Sequence, residues 1–596
     1  MRKQLELLRE QMKQRNLNLY LITMEDDHQS EQACSYFREI AEISGFTGSA
    51  GTLVVTMDRA ALWTDGRYFV QAEKELEGSG VELMRAGLQG TPSMEQFILE
   101  HIPQGGRLGF NGKCISATEA EKIIRRLRKK KVSVAYTEDL PDVFWADRPS
   151  KTCEPCFLLE ETYTGMSCGE KLAAIREKME ELGATVHIIS TLDDIGWILN
   201  MRGHDVSCNP VFSSFLMITM NQVILYMDEG HQTEETSRYL RENQIRIKPE
   251  QEIYQEISQL HGETVLIEKE RVSYFMIHAL PSDAELISEM TPSTLMKCYK
   301  NPVERENIRR VHIKDGVAVT RFMRWFKDRV GKVPLTEWDA ARKIDELRAE
   351  QEGFLENSFP PIAAYGPNAA MCHYVPSAEA HSLIQPKGLF LLDSGGHYYG
   401  GTTDITRTWS CGPVTEEERR HYTYVVQANL RLQNVVFLEG SRGISVDYAA
   451  REVLWKHHLN FEHGTGHGVG CCLIVHERPI GIRYKIVPER MDSYILQEGA
   501  FTSDEPGLYI AGSHGIRMEN LMMCVKDVRN EYGQFLRFEP YTLCPMETEI
   551  LMTELMTDED VELVNAYNQK VCDTLCPYMT DEEQIWLKQV CAPIHK

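Results

Sequence analysis

Long apolar runs, an export signal and a disulfide framework are all missing from this chain. No stretch reaches the roughly 18 apolar residues that a membrane-spanning helix requires. No apolar run of signal-peptide length follows Met1-Arg2-Lys3, and the 16 cysteines are scattered along the chain. We therefore expect reduced thiols, a cytoplasmic location and no membrane partner.

Positive charge is also scarce, because 64 Lys and Arg face 88 Asp and Glu, for a net charge of −24. This balance argues against a nucleic-acid partner, so the basic run 125–131 is interpreted as a solvated helix face. The Cys153-Glu154-Pro155-Cys156 segment has no second CxxC at a spacing that suits zinc, and it is interpreted as part of a linker.

The length of 596 residues exceeds what one core supports, since cores stop growing at about 250–300 residues. Hydrophobic residues at 42% and charged residues at 26% are typical of a globular protein. Plausible boundaries near 147–150 and 292–301 predict domains at 1–150, 151–300 and 301–596. The last domain ends in a helical extension, where Thr557 with Asp560 and Thr580 with Glu583 indicate helix starts.

The first 300 residues contain a loose repeat of a helix followed by three strands. The first copy has a helix at 5–14 and strands at 19–22, 52–56 and 60–64. The second copy has its elements at 170–182, 186–189, 215–219 and 223–227. Its helix carries a capping box, Ser167 with Glu170, and stops at Gly183. The pattern predicts a small α/β domain that is present twice.

Two aspartates fall on neighbouring predicted strands. The apolar run 388–392 ends in Asp393, and a second strand at 402–409 carries Asp404. Paired as a hairpin, these strands would place two carboxylates side by side, where they repel each other unless one is protonated or a cation lies between them. For this pair alone, a turn Asp and a surface Asp are the favoured interpretation.

The glycine-rich segment 463–470 holds two histidines, His463 and His467, four residues apart. The spacing is that of a helical zinc motif, but four glycines and the absence of Glu after His463 favour an extended or turning backbone. Glu505 lies at a Pro-Gly turn, which is also typical of a plain surface loop. Glu519 alternates with Arg517, so both are predicted to face the same side of one strand, as in an ordinary salt bridge or as in a metal ligand with a supporting arginine.

Considered together, these residues form an oxygen-rich donor set of four carboxylates and one imidazole: Asp393, Asp404, His467, Glu505 and Glu519. Such a set suits two hard or borderline divalent cations. Two dications offset four carboxylates, which makes burial tolerable. A pair of metals about 3.5–4 Å apart can activate a bridging water for attack on a carbonyl.

The motifs of this region are similar to those of the pita-bread metallopeptidases, and among them of the three-domain Xaa-Pro aminopeptidase (aminopeptidase P) family. The matching segments are Leu392-Asp393-Ser394-Gly395, 401–408, 463–470, Val475-His476-Glu477, Asp504-Glu505-Pro506-Gly507 and Arg517-Met518-Glu519-Asn520. The likeness extends to 27–31, 44–51, 63–68, 202–205, 209–212 and 538–540. It implies two creatinase-like α/β domains followed by a pita-bread catalytic domain of α+β type, with a curved antiparallel sheet flanked by helices.

The resemblance also implies roles for single residues. Asp393 would bind one metal, Asp404 and Glu519 would bridge both, and His467 and Glu505 would complete the other. Glu505 would also take the proton of the attacking water. Three histidines would bind substrate and assist catalysis, His373 at the developing oxyanion and His463 and His476 as proton carriers, and Arg517 would hold Asp393 beside the substrate.

The family's usual metal is Mn²⁺, with Zn²⁺ or Co²⁺ as alternatives, and its relatives are commonly homodimers through the C-terminal domain. The expected reaction releases the first residue of peptides that carry proline in second position. A prolidase that cuts dipeptides is the first alternative, and the chain length favours the aminopeptidase. A metal-free peptide- or histone-binding module and a creatinase-like amidinohydrolase lack the ligand acids present here. Cys471-Cys472 departs from the family pattern.

Overall fold

A computed structural model describes residues 2–596, with residue 489 described by its backbone only. It separates into two compact units. The first comprises the chain up to Leu159 together with Met166–Ser293, and the second comprises Glu160–Gly165 with Thr294–Lys596. The predicted division at residues 150 and 300 stays a prediction.

The first unit contains two six-stranded sheets of the same design. The strands of this unit are β1 Leu19–Ile22, β2 Thr52–Thr56, β3 Ala60–Thr64, β4 Glu82–Arg85, β5 Arg107–Phe110, β6 Ser133–Ala135, β7 Phe157–Leu158, β8 Val186–Ile189, β9 Met201–Arg202, β10 Phe215–Thr219, β11 Val223–Tyr226, β12 Ile245–Lys248, β13 Thr264–Ile267 and β14 Glu285–Ser288. β7 and β9 pair with each other outside the two six-stranded sheets. Their orders are β4-β3-β2-β1-β5-β6 and β12-β11-β10-β8-β13-β14. In both sheets the first three strands in chain order, β1-β2-β3 and β8-β10-β11, pair antiparallel. The remaining neighbours in each sheet pair parallel. The predicted repeat is confirmed.

Helices cover these sheets. They are α1 Lys3–Gln14, α2 Glu39–Ser44, α3 Phe69–Glu75, α4 Met94–His101, α5 Ala117–Leu127, α7 Cys168–Leu182, α8 Leu192–Leu199, α9 Glu234–Glu242, α10 Ile253–Ile257 and α11 Tyr274–Ala279. The short helix α6 Glu161–Thr164 belongs to the second unit. The predicted capping box of α7 is present and Gly183 ends the helix in the left-handed region, as expected. In α5, Ile123 and Leu127 are buried while Arg125 and Arg126 are exposed, which confirms the solvated basic face.

The second unit is antiparallel throughout its sheets. Its strands are β15 Phe354–Tyr365, β16 Leu389–Tyr398, β17 Gly401–Thr402, β18 Ile405–Ser410, β19 Val436–Leu438, β20 Gly466–Gly468, β21 Glu477–Ile482, β22 Phe501–Asp504, β23 Gly507–Ile510, β24 His514–Arg517, β25 Asn520–Asn530 and β26 Gly533–Pro540. One sheet has the order β15-β16-β17, with β18 also on β16, and a larger one has the order β19-β26-β25-β22-β20-β21. β23 and β24 form a separate hairpin.

The remaining helices pack on these sheets. They are α12 Pro292–Cys298, α13 Pro302–Arg329, α14 Glu337–Ala349, α15 Glu416–Gln433, α16 Gly443–Val446, α17 Tyr448–Trp455, α18 Asp558–Leu575 and α19 Asp581–Val590. The side chains of Thr557 and Thr580 cap α18 and α19, as predicted. On α13, Phe326 stacks on Phe390 of β16 with ring centroids 4.7 Å apart, so this long helix anchors the strand that carries Asp393.

Two strand predictions were wrong at the ends that matter most. β16 does not stop at Asp393 but continues to Tyr398, because Gly395 serves close packing and not a turn: a Cβ there would lie 2.0 Å from the Thr403 carbonyl oxygen. The strand predicted at 402–409 is interrupted, so Asp404 lies between β17 and β18. Among residues 2–596, no helix is long and apolar enough to cross a membrane.

Candidate metal centre

Asp393 and Asp404 come from adjacent strands of one sheet. Asp393 lies within β16, opposite Thr406 of β18 and Ile362 of β15. Asp404 directly precedes β18, which pairs antiparallel with β16. Both residues are buried. The pairing therefore brings two carboxylates into one interior region, as the sequence predicted.

The other three predicted ligands come from the larger sheet and its links. His467 is the middle residue of β20, which confirms the extended backbone expected for the glycine-rich segment. Glu505 directly follows β22 and donates its backbone N–H to the Thr465 carbonyl at 2.8 Å. Glu519 lies in the link between β24 and β25. The prediction that it shares a strand with Arg517 was therefore wrong.

Two glycines let the β20 backbone fit between its neighbours. A Cβ on Gly466 would lie 2.1 Å from the Ser503 carbonyl oxygen, and one on Gly468 would lie 2.3 Å from that of Glu477. Any side chain at these positions would push β20 away from β21 and β22. The glycines of the motif thus set the depth at which His467 meets the acids.

The ligand atoms converge. The Nε2 of His467 lies 3.6 Å from Asp404 Oδ2 and 3.6 Å from Glu505 Oε1. Single ligand atoms of Asp404, His467 and Glu519 lie within 4.8 Å of one another. The Nδ1 of His467 lies 2.9 Å from the Gly468 carbonyl and donates a hydrogen bond to it, which leaves the lone pair of Nε2 available to a cation.

Glu519 is held where strands from the two sheets meet. Its backbone N–H donates to the Thr406 carbonyl at 3.1 Å, and the Thr406 hydroxyl donates to its Oε2 at 2.9 Å. Arg407 donates to the Glu519 carbonyl at 2.7 Å and to the hydroxyl of Tyr567 on α18 at 2.7 Å. Helix α18, in the C-terminal extension, therefore helps to fix the segment that carries this carboxylate.

Burial and mutual repulsion raise the pKa values of two acids in the cluster. Burial, followed by the charges of Asp393 and Glu505, raises the pKa of Asp404 well above its usual value. Burial and the charges of Asp404 and Asp393 raise the pKa of Glu519 in the same way. Both shifts favour the protonated carboxyl, so a cation bound here would compete with protons.

Two carboxylate oxygens in the cluster fit metal ions by elimination. Asp393 Oδ1 and Asp404 Oδ1 are buried, and neither finds a hydrogen-bond partner among residues 2–596. Buried polar atoms are rarely left without partners, and carboxylate oxygens are preferred ligands of hard divalent cations. The residues present therefore suit divalent metal ions.

Arg517 supports this cluster from one side. Its guanidinium donates to Asp393 Oδ2, to the Thr406 hydroxyl at 3.1 Å and to the Tyr509 hydroxyl at 2.8 Å. Burial alone would lower the pKa of Arg517, but the facing Tyr509 and Asp393 more than offset it, so the group stays charged. The arginine therefore orients Asp393 and partly neutralises the acids.

The predicted substrate histidines lie beside the acids. His463 Nδ1 lies 2.7 Å from the Gly464 carbonyl and so carries the proton, which leaves Nε2 to accept from the Tyr509 hydroxyl at 2.8 Å. Burial lowers the pKa of His463 to about 4, so the ring is neutral at pH 7. The ring of His476 lies 4.4 Å from that of His467, centroid to centroid, and at a right angle to it.

His373 lies on a segment tied to the site through its neighbour, because the Cys372 carbonyl accepts from Arg517 Nη2 at 3.3 Å. Tyr509 is the functional neighbour that the sequence did not reveal. It sits two residues after the Pro-Gly turn in β23, and its link between Arg517 and His463 depends on the β23–β24 hairpin. Both thiols of the Cys471-Cys472 pair are buried.

A second group of acids and a histidine lies in the first unit, at Asp27, His28 and Glu250. There the ammonium of Lys151 donates to Asp27 Oδ2 at 2.6 Å and lies 3.6 Å from Glu250 Oε1. The protein itself supplies the cation, so this group forms an ion-pair network.

Sequence comparisons agree with this geometry. The model of metallopeptidase family M24 matches residues 306–526, and that of its C-terminal region matches 534–594. Two models of the Creatinase/Prolidase N-terminal domain match 4–140 and 147–304. The protein is thus an enzyme of the metallopeptidase class, with creatinase-type N-terminal domains and a pita-bread catalytic domain.

A curated relative from Sordaria macrospora, named probable Xaa-Pro aminopeptidase P, is 37% identical over 99% of this chain and 98% of its own length. The chain belongs to the Xaa-Pro aminopeptidase P family. The crystal structure of X-prolyl aminopeptidase from Caenorhabditis elegans, described as a cytosolic enzyme with a di-nuclear active site, has a TM-score of 0.95 and 30% identity, with 99% of each chain covered. A Xaa-Pro dipeptidase from Bacillus anthracis, 22% identical with a TM-score of 0.52 over 64% of this chain and 99% of its own, shares the fold.

Proposed function

We propose that this protein is an aminopeptidase that releases the N-terminal residue from peptides with proline in second position. The observation that carries the proposal is the convergence of Asp404, His467, Glu505 and Glu519, with Asp393 close enough for its charge to raise the pKa of Asp404. Two carboxylate oxygens of this group are left unpaired among the described residues. The proline preference rests on the relatives named Xaa-Pro aminopeptidase. The three-domain division at about 150 and 300 belongs to the same proposal.

The proposed metal occupancy is two divalent cations, most simply Mn²⁺, with Zn²⁺ or Co²⁺ as alternatives. Four carboxylates and one imidazole favour such ions, and the relative from C. elegans is described as di-nuclear. A bound metal pair would lower the pKa of a water towards 7 and would polarise a carbonyl. In this proposal Asp404 and Glu519 would hold both ions, Asp393 one of them, and His467 with Glu505 the other.

The remaining chemistry belongs to side chains of this chain. Burial alone would raise the pKa of Glu505, but the facing His463, His467 and Arg517 more than offset it and lower the pKa. Glu505 is therefore ionised and suited to take a proton from the attacking water. We assign proton transfer to the leaving nitrogen to His463 and His476, and stabilisation of the oxyanion to His373, as the family resemblance implies.

The nitrogen of the scissile bond explains why a dedicated site is needed. In an Xaa-Pro bond this nitrogen carries no hydrogen, so the enzyme must recognise the bond without an N–H donor and must protonate the nitrogen as it leaves. Arg517, with Tyr509, fixes the acid and imidazole that flank the substrate. We further propose a cytoplasmic homodimer formed through the C-terminal domain.

The test compares two substrates on protein purified without chelator. Xaa-Pro-Xaa peptides such as Arg-Pro-Pro should be cleaved after the first residue, and elemental analysis should find about two divalent ions per chain. Cleavage restricted to Xaa-Pro dipeptides would identify a prolidase instead. Stoichiometric metal without peptide cleavage would overturn the proposed reaction, and the absence of metal would favour a binding module.

A further inference from the structure

Glu337 is a carboxylate that the proposed reaction does not use, although it lies fully buried in the second unit. It is the first residue of α14, and Thr336 caps that helix through Asp339, so Glu337 is not needed as a cap. Buried carboxylates are retained only where several donors meet them. The partners of Glu337 therefore indicate what it does.

All the donors that reach the Glu337 carboxylate come from one segment, residues 365–382. Its Oε1 accepts from the Tyr365 backbone N–H at 2.7 Å and from the Asn368 amide at 3.0 Å. Its Oε2 accepts from the Tyr374 hydroxyl at 2.7 Å, the Ser382 N–H at 2.6 Å and the same Asn368 amide at 3.1 Å. One side chain thus holds the start, the middle and the end of this segment.

The segment has little regular structure of its own. It leaves β15 at Tyr365, forms a short 3₁₀ turn over Gly366–Ala370 and then runs without helix or strand to a single bridge at Leu383. Its other anchor points lie near the metal centre. A Cβ on Gly515 of β24 would lie 1.8 Å from the Ala369 carbonyl, and Arg517 donates to the Cys372 carbonyl.

His373 lies between these two sets of anchors. On one side, Cys372 is bonded to Arg517, and on the other, Tyr374 is bonded to Glu337. Because His373 is flanked on both sides by fixed neighbours, its backbone has little freedom to move relative to Asp393, which Arg517 also holds. Accurate placement of this kind is what stabilisation of a developing charge requires.

We propose that Glu337 is a positioning residue that fixes the 365–382 segment and thereby holds His373 against the substrate carbonyl. The inference rests on the proposed function, in which His373 stabilises the oxyanion. Glu337→Gln is an informative change, because an amide replaces one acceptor oxygen by a donor. With the amide nitrogen at the Oε2 position, the three groups that donate to Oε2 would face another donor. The segment would then lose its hydrogen bonds to this atom.

The experiment is a double-mutant cycle on the metal-loaded full chain, with an Arg-Pro-Pro peptide as substrate. His373→Ala should lower kcat about 10²- to 10³-fold, by analogy with the loss of one oxyanion donor. Glu337→Gln should lower kcat at least tenfold, change KM less than threefold and leave about two metals per chain. In the His373→Ala background it should cost less than a further twofold, since its effect acts through His373.

Conservative and control variants separate this role from general damage. Tyr374→Phe removes one of the Oε2 bonds and should give a smaller loss of kcat in the same direction. Glu337→Asp, which keeps the charge, should restore part of the loss. Glu346→Gln is the matched control, because Glu346 is exposed on the same helix and pairs with Lys343 at 3.0 Å; its kinetics should equal those of the wild type.

Hydrogen exchange gives a readout that does not depend on catalysis. Glu337→Gln should raise the exchange rate of amides in 366–382 while leaving those of β16 unchanged. Additive losses in the cycle, loss of metal from Glu337→Gln, or unchanged exchange in the segment would each overturn the inference. A wild-type protein that fails to cleave the peptide would instead refute the proposed function, and the exchange result would still decide the structural part.

Discussion

The Arg517 guanidinium and the Asp393 carboxylate form a buried ion pair in which Nη2 donates to Oδ2, and the opposite carboxylate oxygen, Oδ1, has no protein partner among residues 2–596. One side of Asp393 is thus neutralised by the protein and the other is available to a cation. Removing one member of a buried pair costs about 3–5 kcal/mol, because the remaining charge is uncompensated.

We predict that Arg517→Gln destabilises the metal-free protein by about that amount and the metal-loaded protein by much less. A bound cation takes over the compensation of Asp393, so the two forms should differ. Urea unfolding of both forms, followed by hydrogen exchange of β16, measures the effect. Arg529→Gln, an exposed arginine of β25, serves as the control. Equal destabilisation of both forms would contradict the proposed coupling.

Asp404→Asn should stabilise the metal-free protein and abolish hydrolysis. Burial and the neighbouring Asp393 and Glu505 raise the pKa of Asp404, so a neutral amide relieves repulsion that the native site carries. The unfolding midpoint of the metal-free form should rise, while kcat falls by at least about a thousandfold because the proposed ligand of both metals is lost. Asp527→Asn, on the exposed end of β25, should change neither quantity. Near-normal turnover would exclude the proposed role of Asp404.

Chelation should lower the unfolding temperature of the second unit reversibly. A ligand that binds only the folded state stabilises it by about 2.7 kcal/mol at a free concentration a hundred times its Kd. Calorimetry with EDTA and with added Mn²⁺ measures the shift. In Asp404→Asn the shift should be much smaller, and a full shift in that variant would place the metal elsewhere.

His187 predicts acid sensitivity in the first unit. Its Nδ1 lies 2.9 Å from the Leu266 carbonyl and donates to it, so protonation must occur at Nε2, which is buried without a partner in the described chain. Burial lowers the pKa of His187 from 6.5 to about 4. Between about pH 6.5 and pH 4, His187 binds a proton in the unfolded state but not in the folded state. The free energy of unfolding therefore decreases as the pH is lowered through this range.

The loss attributable to this group is about 3 kcal/mol across that window. His187→Phe removes the titrating group and should flatten the profile between pH 4 and 6.5, as measured by hydrogen exchange of the β8 amides. The exposed His204 of the first unit is the control, and His204→Phe should leave the slope unchanged. An unaltered slope in His187→Phe would show that other groups cause the acid sensitivity.

Local patterns predicted local structure well. The capping box at Ser167 and Glu170, the strands 19–22 and 186–189, and the extended backbone around His467 depend on residues close in sequence. The continuation of β16 past Asp393 was missed because the role of Gly395 is visible only in the folded sheet. There the Thr403 carbonyl lies so close to Gly395 that no side chain would fit. The same limit applies to Tyr509 and Glu337, whose partners lie up to 46 residues away.

The identities of the ligands could be predicted as a set, but their roles could not. Four acids and an imidazole indicate divalent metal, whereas the assignment of Asp404 and Glu519 to both ions came from the family resemblance. The structure adds that Asp404 and Glu519 lie in links beside strands and not within them. Such positions depend on how two sheets meet, which neither periodicity nor spacing encodes.

The two matching sheets of the first unit place Tyr20 and His187 at the same point. Tyr20 pairs with Val55 and Gly109, and His187 pairs with Ile218 and Leu266, at corresponding positions of β2 and β10 and of β5 and β13. The phenol of Tyr20 and the imidazole of His187 thus occupy equivalent sites in the two sheets, so this strand order and register accommodate either ring at that position.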